Sequence, residues 1–319
     1  VTRPLIAVTD SVFPSLEPAM AALKRLDPEI RIAKSTSEAD ILAVARDADG
    51  VLVTYAKLPG ELLRQLQRCK VIGRFGLGVD NIDIKAAAAL NIVVTYVPDY
   101  CLQEVSDHAM ALVLALARKV AFSNAVVQQG RWDMPAVVPI RRLEGQVLGL
   151  VGLGNIPRRV APKASAFGFK VIAHDPYVSA AIAQELGVEL VSFERLLEIS
   201  DFISVHAPLT PQTRGLFNAD AFGRMKKGAI IVNTARGPLL DEASLVAALD
   251  AGHLGGAGLD VVATEPLSKE SPLLGRSNVI LTPHTAFYSV EALEELQTKC
   301  ATDVAHVLSG ERPIYPVSK

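Results

Sequence analysis

A single stretch, Val147 to Asp175, narrows the possible folds more than any other. Val147-Leu148-Gly149-Leu150-Val151 is a short apolar run of the kind that forms a buried parallel strand. Gly152-Leu153-Gly154-Asn155-Ile156-Pro157 follows. Gly152 and Gly154 permit a tight turn and a close backbone approach to a pyrophosphate. Val160, Ala161, Ala164 and Phe167 then recur at helical spacing, and Gly168 stands where a helix stop belongs. A second apolar run, Lys170 to His174, ends in Asp175, roughly 20 residues past the glycines, where a carboxylate accepts hydrogen bonds from a ribose. Strand, glycine turn, helix, strand and acid together read as a βαβ dinucleotide site.

Two details qualify that reading. Pro157 occupies the third glycine position, which normally allows close helix–strand packing. Proline is tolerated in a first helical turn, so a slightly displaced helix is expected, with the amides of Asn155 and Ile156 still facing a phosphate. Asp175 repels a 2′-phosphate, which favours NAD over NADP. Arg158, Arg159 and Lys163 read as a solvated helix face.

A chain of 319 residues has room for two domains, and half of it is hydrophobic. With 32 basic and 34 acidic residues the charge is near balance, which points away from nucleic-acid and membrane-surface partners. Cys69, Cys101 and Cys300 are far apart and show neither metal-ligand nor redox pairing. Pro4 to Val8 reads as a strand rather than a signal peptide, and no apolar run approaches the length of a membrane span. A reducing, cytoplasmic setting is expected.

Elsewhere short apolar strands alternate with helices, the pattern of mostly parallel sheets. Strands are expected at Leu5–Val8, Ile30–Ala33, Val51–Thr54, Val71–Ile72 and Ile92–Thr95, with helices at Glu17–Leu26, Glu38–Ala45 and Glu61–Arg68. The loop Gly73 to Asn81 has glycines at 73, 76 and 78 and reads as an anion cradle at a strand end. A long helix is expected from about Gln103 to Val120, then an irregular stretch over 124–146. Strands at Phe202–Val205, Ala229–Val232, Ala257–Asp260 and Asn278–Leu281, and helices at Glu242–Asp250 and Ser289–Leu308, complete the chain.

Three loops at strand ends carry groups fit for chemistry: Arg236 after one, Asp260 and Glu265 after the next, His284 after the third. A guanidinium holds a carboxylate bidentately. An imidazole exchanges a proton with an alcohol during hydride transfer, and a carboxylate behind it orients the ring and favours its charged, donating form. A lone histidine after a strand is more often structural; the placing of these three after a dinucleotide motif reverses that. His108, His174, His206, His253 and His306 lack such a setting, and none forms a metal pattern.

With these residues in view, the chain resembles the D-isomer-specific 2-hydroxyacid dehydrogenase family over nearly its whole length. The markers are Gly73 to Asn81, Pro98-Asp99-Tyr100-Cys101, Gly152 to Ile156 with Asp175, His206-Ala207-Pro208-Leu209-Thr210, Asn233 to Gly237, Gly258 to Glu265, and Pro283-His284. Parts are similar to phosphoglycerate dehydrogenases and to the C-terminal-binding-protein branch.

The resemblance implies an α/β chain of two Rossmann-like domains with doubly wound parallel sheets. A discontinuous substrate domain (1–99 and 290–319) would flank an NAD-binding domain (100–289). It implies Arg236 on the substrate carboxylate and carbonyl, His284 as acid/base, and Glu265 as its partner. Asp260 and the Thr234 backbone, beside Ala235, would hold the nicotinamide carboxamide. The segment His206, Ala207, Pro208 to Thr213 would pass beside the cofactor. The amides of Leu77 and Gly78 would bind the substrate carboxylate, Leu77 also lying near the cofactor, and Tyr100 would line the pocket. Arg74 reads either as an anchor for a phosphate or second carboxylate or as a surface residue; Tyr55 is a weaker pocket candidate.

A homodimer through residues 103–120 and 124–146 is implied. The regulatory extension some phosphoglycerate dehydrogenases carry is not expected beyond Lys319. The expected activity is NAD-dependent reduction of a small 2-oxo acid. The rival readings are an NAD(H)-sensing binding protein and a formate or phosphite oxidoreductase. Phe287, where the corepressor branch has tryptophan, and Glu265, where the formate branch has glutamine, speak against these.

Overall fold

The structure, a computed structural model, describes residues 3–317. Two compact units emerge, one built from the chain up to Cys101 together with Ser289 onward, the other from Leu102–Tyr288. The expected breaks were after residues 99 and 289.

The first unit opens with β1 (Leu5–Val8), α1 (Glu17–Leu23), β2 (Glu29–Ile32), α2 (Glu38–Ala45) and β3 (Gly50–Val53). It continues with α3 (Gly60–Leu63), β4 (Val71–Arg74), α4 (Ile84–Ala89) and β5 (Val93–Thr95). Its five strands pair in the order β2-β1-β3-β4-β5, all parallel. β1, β3 and β4 are buried throughout, as strands covered on both faces must be.

The second unit carries α5 (Leu102–Ala117), α6 (Val120–Gln128), β6 (Val147–Val151), α7 (Pro157–Ala166), β7 (Lys170–His174), α8 (Ala180–Glu185) and β8 (Glu189–Leu190). Then come α9 (Phe193–Ile199), β9 (Phe202–Val205), α10 (Ala219–Arg224), β10 (Ile230–Asn233), α11 (Glu242–Asp250), β11 (Gly256–Leu259) and β12 (Val279–Leu281). The sheet runs β12-β11-β10-β9-β6-β7-β8. Its order reverses between β6 and β9, the crevice where doubly wound sheets bind ligands at their carboxyl ends. The glycine turn after β6 and His206 after β9 stand at that switch.

The chain returns to the first unit with α12 (Val290–Leu308), which lies directly on β4: a Cβ on Gly73 would fall 2.6 Å from Val304 and 2.9 Å from Cys300. Gly73 and Arg74 thus belong to the strand and its packing, and the cradle proper begins after them.

Two expected helices are redrawn. The helix expected over Glu61–Arg68 stops at Leu63, because the Gln67 amide donates to Arg46 O (2.8 Å) and Arg68 pairs with Asp49 (2.9 Å). The helix expected to reach Val120 ends at Ala117. Lys119 adopts a left-handed φ of 53°, and a second helix, α6, leaves at 59° through part of the stretch expected to be irregular. Among the described residues no single helix is long and apolar enough to cross a membrane.

Candidate active site

The second unit assembles three strand-end loops into one network. At the end of β10, buried Asn233 organises the turn: its Oδ1 accepts from the Ala235 amide (3.0 Å) and its Nδ2 donates to Arg236 O (2.8 Å). Gly237 then lies hard against the loop after β11; a Cβ there would sit 1.9 Å from Val262 O. Only glycine permits that approach, and it brings the Arg236 turn beside Glu265.

His284 Nδ1 meets Glu265 Oε2 at 2.7 Å, and Glu265 Oε1 accepts from the Val262 amide (3.2 Å). Burial pushes the Glu265 carboxyl up. The His284 hydrogen bond and charge, the Val262 amide and the Arg236 charge outweigh it and hold the group below the usual carboxylate range. With Nδ1 turned to Glu265, Nε2 is the ring atom on the opposite side. The ring also meets Phe287 edge-on, 6.2 Å between centroids.

His284 itself has a left-handed φ of 54°, an uncommon conformation for a side-chain-bearing residue. Asp260 holds it there. The Asp260 carbonyl accepts from the His284 amide (2.8 Å), Oδ1 from Thr282 Oγ1 (2.6 Å) and the Thr285 amide (2.9 Å), and Oδ2 from the Ala286 amide (3.0 Å). Asp260, expected to face nicotinamide, is buried, and its carboxylate and carbonyl tie the turn that presents His284.

The residues of the nucleotide turn fit a pyrophosphate. Gly152 has φ 96°, and a Cβ there would press on the His206 backbone at 3.1 Å. Gly154 has no neighbour within 4 Å of that position. The Asn155 and Ile156 amides find no acceptor among the described residues. Asp175 binds the turn through Oδ2 to the Leu153 amide (2.8 Å) and the chain beyond through Oδ1 to the Tyr177 amide (2.8 Å). Pro157 begins α7 without breaking it, since the Val160 amide still reaches Ile156 O (3.1 Å).

The expected solvated basic face of α7 is mostly engaged. Arg158 Nε donates to Leu153 O (3.0 Å), Lys163 pairs with Asp107 and Ser106, and Arg159 alone is exposed. Phe167 is exposed rather than part of the buried stripe, whereas Gly168 takes the expected left-handed stop at φ 83°. Thr234 Oγ1 is buried with no partner among the described residues, an orphan hydroxyl that suits a polar cofactor group.

The segment after β9 is a tight loop. Thr213 Oγ1 donates to Pro208 O (2.6 Å) and accepts from the Thr210 amide (2.8 Å), while Ala207 is buried. His206 Nε2 lies 2.9 Å from Ser204 Oγ, and burial pushes the imidazole down to about 4 from an ordinary 6.5. Above pH 6.5 both folded and unfolded chains carry it neutral. As pH falls from 6.5 towards 4, the unfolded chain gains a proton that the folded one refuses, so stability is lost, by about 3 kcal/mol in all. Chemical unfolding at pH 7.5 and pH 5 should therefore show a smaller acid loss in His206→Gln than in the natural chain; equal losses would remove His206 as a cause.

The first unit carries the other expected groups. Arg74 is buried, not a surface residue: Nη1 donates to Phe75 O (2.8 Å) and crosses so close to Gly76 (φ 149°) that a Cβ there would lie 1.1 Å from it. It braces the loop at Phe75 and Gly76. The Leu77 and Gly78 amides have no acceptor among the described residues, and Leu77 is exposed. Tyr100 is buried, which with the neighbouring Cys101 keeps its phenol protonated well above its ordinary range. Tyr55 is exposed, on a strand-end loop whose amides at 54, 55 and 56 donate to the Asp10 carboxylate.

Residues 110–286 match the NAD-binding domain of the D-isomer-specific 2-hydroxyacid dehydrogenases. The chain belongs to that family. It is 38% identical over 309 residues to the D-3-phosphoglycerate dehydrogenase of Mycobacterium bovis, covering 97% of this chain and 57% of that protein. The chain thus spans little more than half the length of that relative. A D-lactate dehydrogenase from Aquifex aeolicus, complexed with NAD and lactic acid, superposes with TM-score 0.89 at 29% identity, over 98% of this chain and 99% of that one. A glyoxylate reductase from Paecilomyes thermophila superposes with TM-score 0.89 at 26% identity, over 100% and 99% of the two chains. The matched domain is an NAD-binding one, and the cofactor is NAD. The parts that Thr282, Asn233 and His108 play in the network come from packing that no local pattern in the sequence announces.

Proposed function

We propose that the chain catalyses NAD-dependent reduction of a small 2-oxo acid to the D-2-hydroxy acid. The observation that carries this reading is the His284–Glu265 pair at 2.7 Å beside the Arg236 charge, at the carboxyl ends of three parallel strands. NADH, when bound, supplies hydride to the carbonyl carbon. Arg236 holds the substrate carboxylate and polarises the carbonyl. Glu265 accepts the Nδ1–H of charged His284, and His284 Nε2–H passes its proton to the carbonyl oxygen as the alkoxide forms. The Leu77 and Gly78 amides, without an acceptor among the described residues, offer a cradle for a carboxylate. Gly152, Gly154, Asn155 and Ile156 take the pyrophosphate and Asp175 the ribose, with Thr234, Ala235 and the 206–213 segment lining the nicotinamide side.

The relatives named above act on phosphoglycerate, lactate and glyoxylate, so the shared chemistry is a 2-oxo or 2-hydroxy acid. Incubation with NADH dideuterated at C4 and a 2-oxo acid should give a D-2-hydroxy acid deuterated at C2. The L-isomer, or product without deuterium, would refute the reading.

A homodimer through α6 and the stretch after it is part of this proposal. Val120, Val127, Trp132, Met134 and Val138 are exposed there, Trp132 by 93%, which is unusual for so large an apolar group. Light scattering should give twice the 34.0 kDa of one chain, and Trp132→Glu should lower it; a monomeric natural chain would contradict the assignment.

A further inference from the structure

We propose that His108, on α5, is a positioning residue for the proton donor, acting through a directed relay His108 Nε2–H to Thr282 Oγ1–H to Asp260 Oδ1. It rests on the reading of His284 as that donor.

The sequence brings α5 to this place. α5 packs over β11, where Gly256 and Gly258 leave room for it. A Cβ on Gly256 would meet Leu116 at 3.4 Å, and one on Gly258 would meet Leu112 and Leu116 at 3.1 Å. One helical turn, four residues, matches two residues of strand. Stepping back a turn from Leu112 while advancing two strand residues from Gly258 brings His108 to Asp260. The contacts agree: His108 Nε2 lies 2.9 Å from Thr282 Oγ1 and 3.6 Å from Asp260 Oδ1.

The direction of the relay follows from hydrogen-bond accounting. An ionised carboxylate only accepts, so at 2.6 Å the Thr282 hydroxyl must donate its one proton to Asp260. Thr282 Oγ1 then has only lone pairs to offer His108, and Nε2 must carry the hydrogen. Each bond polarises the next. The same Asp260 oxygen that ends the relay also takes the Thr285 amide, and the Asp260 carbonyl takes the amide of His284. His108 therefore stands at the head of the hydrogen bonds that keep His284 in its left-handed turn with Nδ1 on Glu265.

Two experiments test this. Long-range proton–nitrogen correlation of ¹⁵N-histidine-labelled protein at pH 8.5 should show His108 as the Nε2–H tautomer, with its Nε2 signals moved in Thr282→Val and restored in Thr282→Ser. An Nδ1–H tautomer in the natural chain would overturn the relay, whether or not the protein reduces any acid offered. In steady-state assays His108→Leu should lower kcat roughly 10-fold with KM for the acid and for NADH changed less than about 2-fold, a small displacement at the reacting centre being enough for such a loss. His108→Gln, which keeps an amide N–H near the Nε2 position, should recover most of that loss. The His108→Leu/Thr282→Val double variant should be no slower than Thr282→Val alone. Additive losses, or full activity in His108→Leu, would overturn the positioning role. A natural chain inactive on every acid would instead refute the proposed function and the catalytic half of this inference with it, while the tautomer still decides the relay.

Discussion

Replacing His284 with alanine is expected to lower kcat for 2-oxo acid reduction by roughly 10²–10⁴-fold, the usual worth of a positioned acid/base. NADH affinity should hardly change, because the Asp260 bonds to the turn use the backbone of residues 284–286 and survive the substitution. Stopped-flow single turnovers with prebound NADH separate the two quantities. A loss confined to binding, with the chemical step intact, would remove His284 from the proton transfer.

Glu265→Gln should act more gently. The Glu265 carboxylate meets His284 Nδ1 at 2.7 Å and takes the Val262 amide, which together fix the ring. A neutral amide oxygen can still accept from Nδ1 but loses the charge-assisted bond, so kcat should fall by less than in His284→Ala. An unchanged kcat would argue against the pair.

Arg236→Ala carries the second large expected loss, roughly 10²–10⁴-fold in kcat/KM, from two charge-assisted hydrogen bonds to a carboxylate. Arg236→Lys should recover little of it, since an ammonium cannot reproduce the planar fork. The fold should be little affected: the turn around residue 236 is tied by the Asn233 side chain to backbone atoms and seated by Gly237, to which the guanidinium adds an Nη1 bond to Ala235 O (2.7 Å). Initial rates across a range of acid concentrations check this. A variant with a normal kcat/KM for every acid reduced by the natural chain would exclude Arg236 as the carboxylate anchor.

Much of the second unit was legible because its signals are local. β6, the glycine turn, α7, the Gly168 stop and Asp175 follow one another within a single βαβ stretch, and apolar runs bracket the buried strands. The His284–Glu265 pair could be anticipated because strand ends converge in a parallel sheet. What escaped depends on distant partners. α3 is short because the Gln67 amide answers to Arg46, not to its own helix. The break between α5 and α6 turns on a left-handed lysine, a residue type that gives no warning of it. Arg74 looks like any loop arginine until Gly76 is seen to make room for it. Nothing local marks His108, because its neighbours Thr282 and Asp260 are brought to it only by two small strand residues under α5. Asp260, expected to serve the cofactor, has a bonding pattern that is visible only once residues 282–286 fold back on it.

Reduction of a 2-oxo acid is tested most simply by NADH oxidation, followed by absorbance, against glyoxylate, hydroxypyruvate, pyruvate, 2-oxoglutarate, phenylpyruvate and phosphohydroxypyruvate. Turnover of at least one of these acids is expected, abolished in both His284→Ala and Arg236→Ala. Silence across the panel with NADH demonstrably bound, or activity that survives both substitutions, would contradict it.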